Sequence, residues 1–141
     1  MRHRVATSLI ILAALATAAP KWNPQAGKGV GQARVSLYRV APGQQLTFLK
    51  WLAAREEVSK EAGIPATQLY AHLDGDSWDY LLIAPVTTPD QDARFDQIAA
   101  KKGVRTGFGA SLQFRDFLTF HSDTLVSGPT TAAALVAEAV E

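Results

Sequence analysis

Cysteine is absent from this chain of 141 residues, and charged residues are sparse. Without cysteine the chain can form no disulfide scaffold, no thiolate zinc site, no cysteine nucleophile and no lipid-modified N-terminal cysteine. Charged residues make up 19% of the sequence with a formal net charge of +1, whereas hydrophobic residues make up 48%. These proportions are typical of one globular domain that is stabilised by packing.

Several catalytic motifs are also absent. The chain has no Gly-x-Ser-x-Gly elbow of a serine hydrolase, no phosphate loop ending in Lys-Ser or Lys-Thr, and no His-Glu-x-x-His pair of a zinc protease. Its one adjacent basic pair is Lys101-Lys102, which is too little positive charge to indicate a nucleic acid partner. That pair falls in the last turn of a predicted helix, where positive charge complements the helix dipole.

The N-terminal residues have the pattern of an export signal. Arg2 and Arg4 precede an apolar run from Val5 to Leu15, and Ala16-Thr17-Ala18 is a small-x-small pattern that signal peptidase accepts. We therefore predict a signal peptide over residues 1–18 and a periplasmic or secreted mature protein with no membrane span. A membrane anchor is the alternative, but the apolar stretch 5–19 has only 15 residues, and about 20 are needed to cross a bilayer. Loss of both arginines would change the net charge from +1 to −1.

Three segments follow the predicted signal. Residues 19–32 are rich in proline and glycine and predict a flexible leader. Residues 33–124 predict one α+β domain, and residues 125–141 predict a C-terminal helical tail. Ser127-Gly128-Pro129 leads into that alanine-rich tail, with Thr130 or Thr131 as the N-cap.

The order of elements within the domain is strand, helix, strand, strand, helix, strand. The second helix has the clearest boundaries, since Thr88 and Gln91 can form a capping box around Pro89, and Gly103 follows Lys102. Asp74-Gly75-Asp76-Ser77 predicts the turn of a hairpin. In chain order, the predictions are a strand over 35–40, a helix over 44–62, strands over 67–73 and 78–84, a helix from 88 to 102, a flexible loop over 107–109 and a strand over 112–121.

This order is the split βαβ arrangement, which predicts a ferredoxin-like α+β fold with a βαββαβ antiparallel sheet and both helices on one face. With Val35-Ser36-Leu37-Tyr38-Arg39-Val40 running into Pro42-Gly43, an amphipathic helix and a hairpin, the layout resembles the dimeric α+β barrel superfamily. The tail His121-Ser122-Asp123-Thr124 with Gly128-Pro129 is similar to that of small exported bacterial proteins of unknown function. The resemblance implies a homodimer, and the superfamily includes cofactor-independent monooxygenases, haem-degrading enzymes and stress-response barrel proteins.

A hairpin turning at Gly75-Asp76 pairs His72 with Asp79. A carboxylate that holds one ring nitrogen fixes the histidine tautomer and leaves the other nitrogen as a base near neutral pH. His72 and Asp79 are therefore the candidate catalytic pair. The alternative is a cross-strand ion pair or a solvent-facing histidine, since opposed His and Asp side chains are common on half-exposed sheets.

Further side chains are predicted to line a cavity on the mixed face of the sheet. Tyr38 and Tyr70 are expected to share that face, where they could orient a polar ligand atom, although ordinary interface packing explains them better. Arg115, Phe117 and His121 are expected on one face of the last strand, where Arg115 would bind a carboxylate or enolate, or form a salt bridge across the dimer.

Metal and haem binding are not predicted. The pairs His72-Leu73-Asp74 and His121-Ser122-Asp123 contain capable donors. However, the expected 4-1-3-2 strand order puts the two histidines on opposite edge strands, and at opposite ends of them. A lone histidine without an attachment motif is weak support for haem.

The sequence thus predicts an exported homodimer that binds a small apolar or aromatic molecule in a sheet-lined cavity, without a cofactor. The alternative is a cofactor-independent monooxygenase or isomerase in which His72, oriented by Asp79, is the general base. Whether the protein is an enzyme is left open at this point.

Overall fold

The helix that follows the hairpin begins with a capping box. The Thr88 side chain accepts a 3.3 Å hydrogen bond from the Gln91 N–H, and the Gln91 side chain accepts a 3.0 Å bond from the Thr88 N–H. Gly103 ends the helix with a φ of +68°, a left-handed conformation that favours glycine. The predicted boundaries of this helix are confirmed.

The computed structural model describes residues 31–140. The predicted signal peptide and most of the predicted leader lie outside these residues. The elements are β1 (Gln32–Val40), α1 (Gln45–Glu61), β2 (Gln68–Ala71), β3 (Tyr80–Pro85), α2 (Pro89–Lys102), α3 (Gly107–Phe117), β4 (Leu118–Ser127) and α4 (Ala132–Ala139). No helix among residues 31–140 is long and apolar enough to cross a membrane.

The four strands form one antiparallel sheet in the order β2-β3-β1-β4. This is the ferredoxin-like α+β arrangement that the sequence predicted. The hairpin register is also as predicted, since Ala71 pairs with Tyr80 and Tyr70 with Leu81. The ladder ends earlier than expected, and Leu73 is 97% exposed beyond it.

The predicted last strand over 112–121 is wrong in its first half. Residues 107–117 form helix α3, and β4 starts only at Leu118. Ala110, Phe114 and Phe117 are spaced by four and three residues, so a helix places them on one apolar face. Phenylalanine is also frequent in strands, which is why its abundance here predicts a strand. Strand β4 then continues to Ser127, across the predicted domain boundary after residue 124.

The core lies between the sheet and the helices α1 and α3. Phe48 and Leu52 from α1 and Phe117 from α3 pack on Tyr38 and Val40 of β1. Phe48 is fully buried, and its ring centroid lies 5.4 Å from that of Tyr38 in an edge-on arrangement. We call this side of the sheet the helix face.

The opposite side of the sheet, which we call the open face, carries the alternate residues of each strand. By the observed register these include the half-buried apolar residues Val35, Leu37, Leu81, Ile83 and Val126. The predicted sharing of one face by Tyr38 and Tyr70 is wrong. Tyr38 pairs with Tyr80 on the helix face, whereas Tyr70 pairs with Leu81 on the open face.

Helix α4 is different from the other helices. The Thr131 side chain caps it by accepting a 3.1 Å hydrogen bond from the Ala134 N–H, as one of the two predicted caps. None of its residues is buried, and Leu135 and Val136 are both exposed. The helix therefore adds nothing to the core among the described residues.

Candidate functional site

A cleft of about 360 Å³ opens between the helix face of the sheet and the helices α1 and α3. Strands β1, β3 and β4 provide its floor, and the first turn of α3 provides part of its rim. It is lined by Arg34, Ser36, Tyr38, Trp51, Arg55, Leu82, Ala84, Gly107, Ala110, Ser111, Phe114 and Asp123.

The floor carries three polar side chains from adjacent strands. Ser36 and Asp123 are paired in the register of β1 and β4, and the Ser36 hydroxyl donates a 2.7 Å hydrogen bond to the Asp123 carboxylate. Tyr38, two residues along β1, is 6% exposed. Desolvation by burial raises the pKa of the Tyr38 hydroxyl, and the charge of Asp123 adds to this effect, while Ser36 and Arg34 partly offset it. The hydroxyl therefore stays neutral to a higher pH than that of an ordinary tyrosine, and a neutral hydroxyl can donate a hydrogen bond.

Aromatic rings form one wall of the cleft. The Phe114 ring lies edge-on to Tyr38, with centroids 5.8 Å apart, and its centroid is 5.6 Å from that of Trp51. The Trp51 indole N–H donates a 3.2 Å hydrogen bond to Gln113, which orients the ring. The wall is thus a fixed aromatic surface beside a hydrogen-bond donor.

Two arginines line the same cleft. The Arg55 guanidinium lies 4.9 Å from the ring centroids of both Trp51 and Phe95, and its Nη1 donates a 2.9 Å bond to the Arg105 carbonyl. Burial lowers the pKa of Arg55, with Asp96 opposing this effect, but an arginine remains a cation at physiological pH. Arg34 projects from the helix face of β1 and is exposed.

His72 and Asp79 are adjacent in the hairpin, but their side chains do not form the predicted pair. The His72 N–H donates a 2.8 Å bond to the Asp79 carbonyl, so the contact is made by the backbone. The Asp79 carboxylate instead accepts a 2.6 Å bond from the Val40 N–H. The His72 ring lies against Trp78 at 4.7 Å, and its Nε2 is buried without a hydrogen-bond partner among the described residues. The proposed orientation of His72 by Asp79 is therefore wrong, and a catalytic role for either residue stays a prediction.

The other predicted residues are spread over several surfaces. Only Tyr38 lines the cleft. Tyr70 is on the open face, where its hydroxyl donates a 2.9 Å bond to Gln68. Arg115 and Phe117 belong to α3 instead of a strand; Arg115 is exposed, and Phe117 is buried beside a second cavity of about 310 Å³. His121 is on the helix face, with its ring 5.1 Å from that of Phe114.

The two histidines lie at the same end of the sheet, contrary to the sequence prediction. His121 pairs with Tyr38, Tyr38 with Tyr80, and Tyr80 with Ala71, which precedes His72. Three strand spacings still separate them by roughly 14 Å. Within residues 31–140 there is no group of three or more histidine, aspartate or glutamate side chains placed to hold a metal ion.

Sequence reasoning missed most of the cleft residues. The spacing of Trp51 and Arg55 by four residues puts them on one face of α1, and this was the available signal for the stacked pair. Arg34, Ser36 and Asp123 come together only through the register of β1 and β4. Nothing in the local sequence specifies that register.

No family model matches the chain, and no curated protein is similar to it at a significant level. Solved structures do match in fold. One is SnoaB, a cofactor-independent oxygenase from Streptomyces nogalater, with 20% identity, 72% of this chain and 95% of that chain covered, and a TM-score of 0.48. Another is a dimeric ferredoxin-like protein of unknown function from Thermobifida fusca, with 11% identity and a TM-score of 0.49. The match covers 75% of this chain and 99% of that chain.

A NIPSNAP family protein of unknown function from Agrobacterium tumefaciens is similar at the same level. Its identity is 15%, the covered shares are 72% of this chain and 91% of that chain, and the TM-score is 0.47. These likenesses concern the fold. The predicted ferredoxin-like arrangement is independently evident in the strand order β2-β3-β1-β4.

Proposed function

We propose that the protein is an exported homodimer that binds a small aromatic molecule in the cleft between the helix face of the sheet and the helices α1 and α3. The observation that carries the proposal is the neutral Tyr38 hydroxyl at the floor of an aromatic-walled cleft. This places the ligand on the other side of the sheet from the cavity that the sequence predicted.

The chemistry of the cleft supports an aromatic ligand. Its volume of about 360 Å³ is at the lower end of the range of ligand pockets, about 300–1,000 Å³. Phe114 and Trp51 offer ring surfaces to a ligand. The Tyr38 hydroxyl beside them is neutral and has a proton that it can donate. A ligand acceptor atom beside the aromatic wall would satisfy that proton.

The open face supports the homodimer. Half-buried apolar side chains such as Leu37, Leu81 and Ile83 lie on it, and no described helix covers them. A contiguous apolar surface of this kind is stabilised when another surface excludes water from it. A second copy offers a self-complementary surface through a twofold axis, and each protomer keeps its own cleft on the helix face.

Export is supported by the sequence of residues 1–18 alone. The positive residues, the apolar run and the Ala16-Thr17-Ala18 pattern are the features that signal peptidase substrates share. Sequencing of the N-terminus of the protein recovered from the periplasm or medium would test cleavage after Ala18. A protein that keeps residue 1 and stays in the cytoplasm would refute export.

Native mass spectrometry of the purified protein tests the binding function. We expect a dimer that retains a small molecule of defined mass, and a lower occupancy of that molecule in Tyr38→Phe. The control is Tyr70→Phe, because Tyr70 is exposed on the open face. The ligand occupancy of this variant should match that of the wild type. Equal occupancy in Tyr38→Phe and wild type would overturn the placement of the ligand in the cleft, and a monomer at micromolar concentration would overturn the dimer.

A further inference from the structure

The cleft is lined by residues of several elements, and two of them, Arg34 and Arg55, carry positive charge. Arg34 comes from β1, Arg55 from α1, and the first turn of α3 contributes Gly107 and Ala110. The one lining residue of opposite charge is Asp123, which is already bonded to Ser36 at the floor. The lining side chains therefore carry an excess of one positive charge.

The two arginines have unused donors. Arg34 makes no hydrogen bond or ion pair with the described residues, and the bond that Arg55 makes to the Arg105 carbonyl uses Nη1. A guanidinium has five N–H donors in a planar fork that matches a carboxylate or phosphate. Donors therefore remain on both side chains for an anionic group.

The N-terminus of α3 is also unsatisfied. Thr106 is its N-cap but makes no side-chain capping bond, and the first turn contains no acidic residue. The first helical bond is made by the Ala110 N–H to the Thr106 carbonyl, so the N–H groups of residues 107–109 have no acceptor within the helix. A helix N-terminus with free N–H groups favours an anion, and here it adds to the two arginines.

We infer that the cleft takes a planar aromatic molecule bearing an anionic group, with the rings against Phe114 and Trp51 and the anion between Arg34, Arg55 and the first turn of α3. This inference rests on the proposed function, because it names the class of ligand for that cleft. At the floor of the cleft, the Tyr38 hydroxyl would donate a hydrogen bond to a second polar atom, on the ring portion of the ligand. Asp123 would repel an anion placed at the floor, which favours the rim for the charged group.

The experiment compares two probes of nearly equal size and shape, 2-naphthoate and its neutral analogue 2-naphthamide. Quenching of Trp51 fluorescence reports binding in a background that carries Trp22→Phe and Trp78→Phe, which leaves one indole in the chain. We expect naphthoate to bind about tenfold or more tightly than naphthamide, since charge-assisted hydrogen bonds are about twice as strong as neutral ones. Its affinity should fall with added salt, and that of naphthamide should not.

Arg34→Gln is the decisive variant, and Arg115→Gln is its matched control. Both remove one positive charge, but Arg115 does not line the cleft. Arg34→Gln should reduce the preference for naphthoate, because Arg55 and the first turn of α3 remain. It should weaken naphthoate binding more than naphthamide binding, whereas Arg115→Gln should keep the full preference.

Equal binding of the two probes, unaffected by Arg34→Gln, would overturn the anionic class while the aromatic cleft stands. An equal loss of preference in both variants would also overturn it, because only the net charge would then matter. If neither probe binds at millimolar concentration, the inference and the proposed cleft both fail.

Discussion

Ser36 of β1 and Asp123 of β4 are joined by a 2.7 Å hydrogen bond across the helix face of the sheet. Ser36 is 3% exposed, and this carboxylate accepts the proton of its hydroxyl. The bond therefore fixes the polar floor of the cleft and links an edge strand to the centre of the sheet.

Replacing Asp123 tests the contribution of this bond to stability. Asp123→Ala should lower the free energy of unfolding by about 1–3 kcal/mol, because a buried hydroxyl loses its acceptor. Asp123→Asn keeps an acceptor oxygen and should cost less. Urea unfolding measures both. The control is Asp116→Ala at an exposed position of α3, which should change the free energy of unfolding by about 0.5 kcal/mol or less. An equally small effect of Asp123→Ala would contradict the prediction.

The raised pKa of Tyr38 predicts a loss of stability in alkali. On unfolding, the hydroxyl returns towards its ordinary pKa of 10.0, so the unfolded chain loses this proton at a lower pH than the folded chain. The stabilisation is complete below about pH 10 and falls as the pH rises through the folded pKa of Tyr38. Urea unfolding between about pH 8 and pH 11 measures it.

The substitution Tyr38→Phe should flatten this alkaline decrease in stability. Tyr70→Phe should not, because Tyr70 is half exposed on the open face. If the alkaline slope of Tyr38→Phe equals that of the wild type, burial of the Tyr38 hydroxyl does not govern it.

A charge on the open face should dissociate the proposed dimer. Leu37→Asp places a carboxylate among half-buried apolar side chains of the central strand β1, and burying it in an interface without a partner costs several kcal/mol. Analytical ultracentrifugation should show a monomer. Leu46→Asp is the matched control, because Leu46 is 64% exposed on α1; it should remain dimeric, and a dimeric Leu37→Asp would refute an interface on the open face.

Removal of α4 should hardly change the stability of the domain. The helix buries none of its side chains, so a chain that ends at Thr130 should unfold within about 0.5 kcal/mol of the full chain. Phe117→Ala provides the contrast, since Phe117 is 6% exposed in the core and its truncation should cost about 3–5 kcal/mol. A large loss on removing α4 would show that the helix is packed in solution.

Local signals in the sequence predicted α2 and the hairpin correctly. Thr88, Gln91 and Gly103 define the ends of α2 through bonds between near neighbours, and the turn around Gly75 sets the pairing of Ala71 with Tyr80. Both depend on residues only a few positions apart, which the sequence displays directly.

The assignment of β1 to faces could not be predicted in the same way. Its alternation gives Val35 and Leu37 on one side and Ser36, Tyr38 and Val40 on the other, and both sets contain apolar residues. Packing against Phe48 and Phe117 selects the side with Tyr38 for the core. Tyr38 therefore lies on the helix face, and the candidate site that it lines lies on that face too.

By itself the sequence determined the alternation of strands and helices and the ends of the best-capped elements, because these follow from periodicity and contacts between neighbouring residues. The split βαβ alternation in turn predicts the fold class and the strand order. Only the tertiary structure decided that 107–117 is helical, that His72 and Asp79 are not paired through their side chains, and that Arg34, Tyr38, Arg55 and Asp123 line one cleft. The physical reason is that strand register and helix packing depend on long-range contacts. A shift of one residue in a strand exchanges its two faces, and the side chains that form a site change with it.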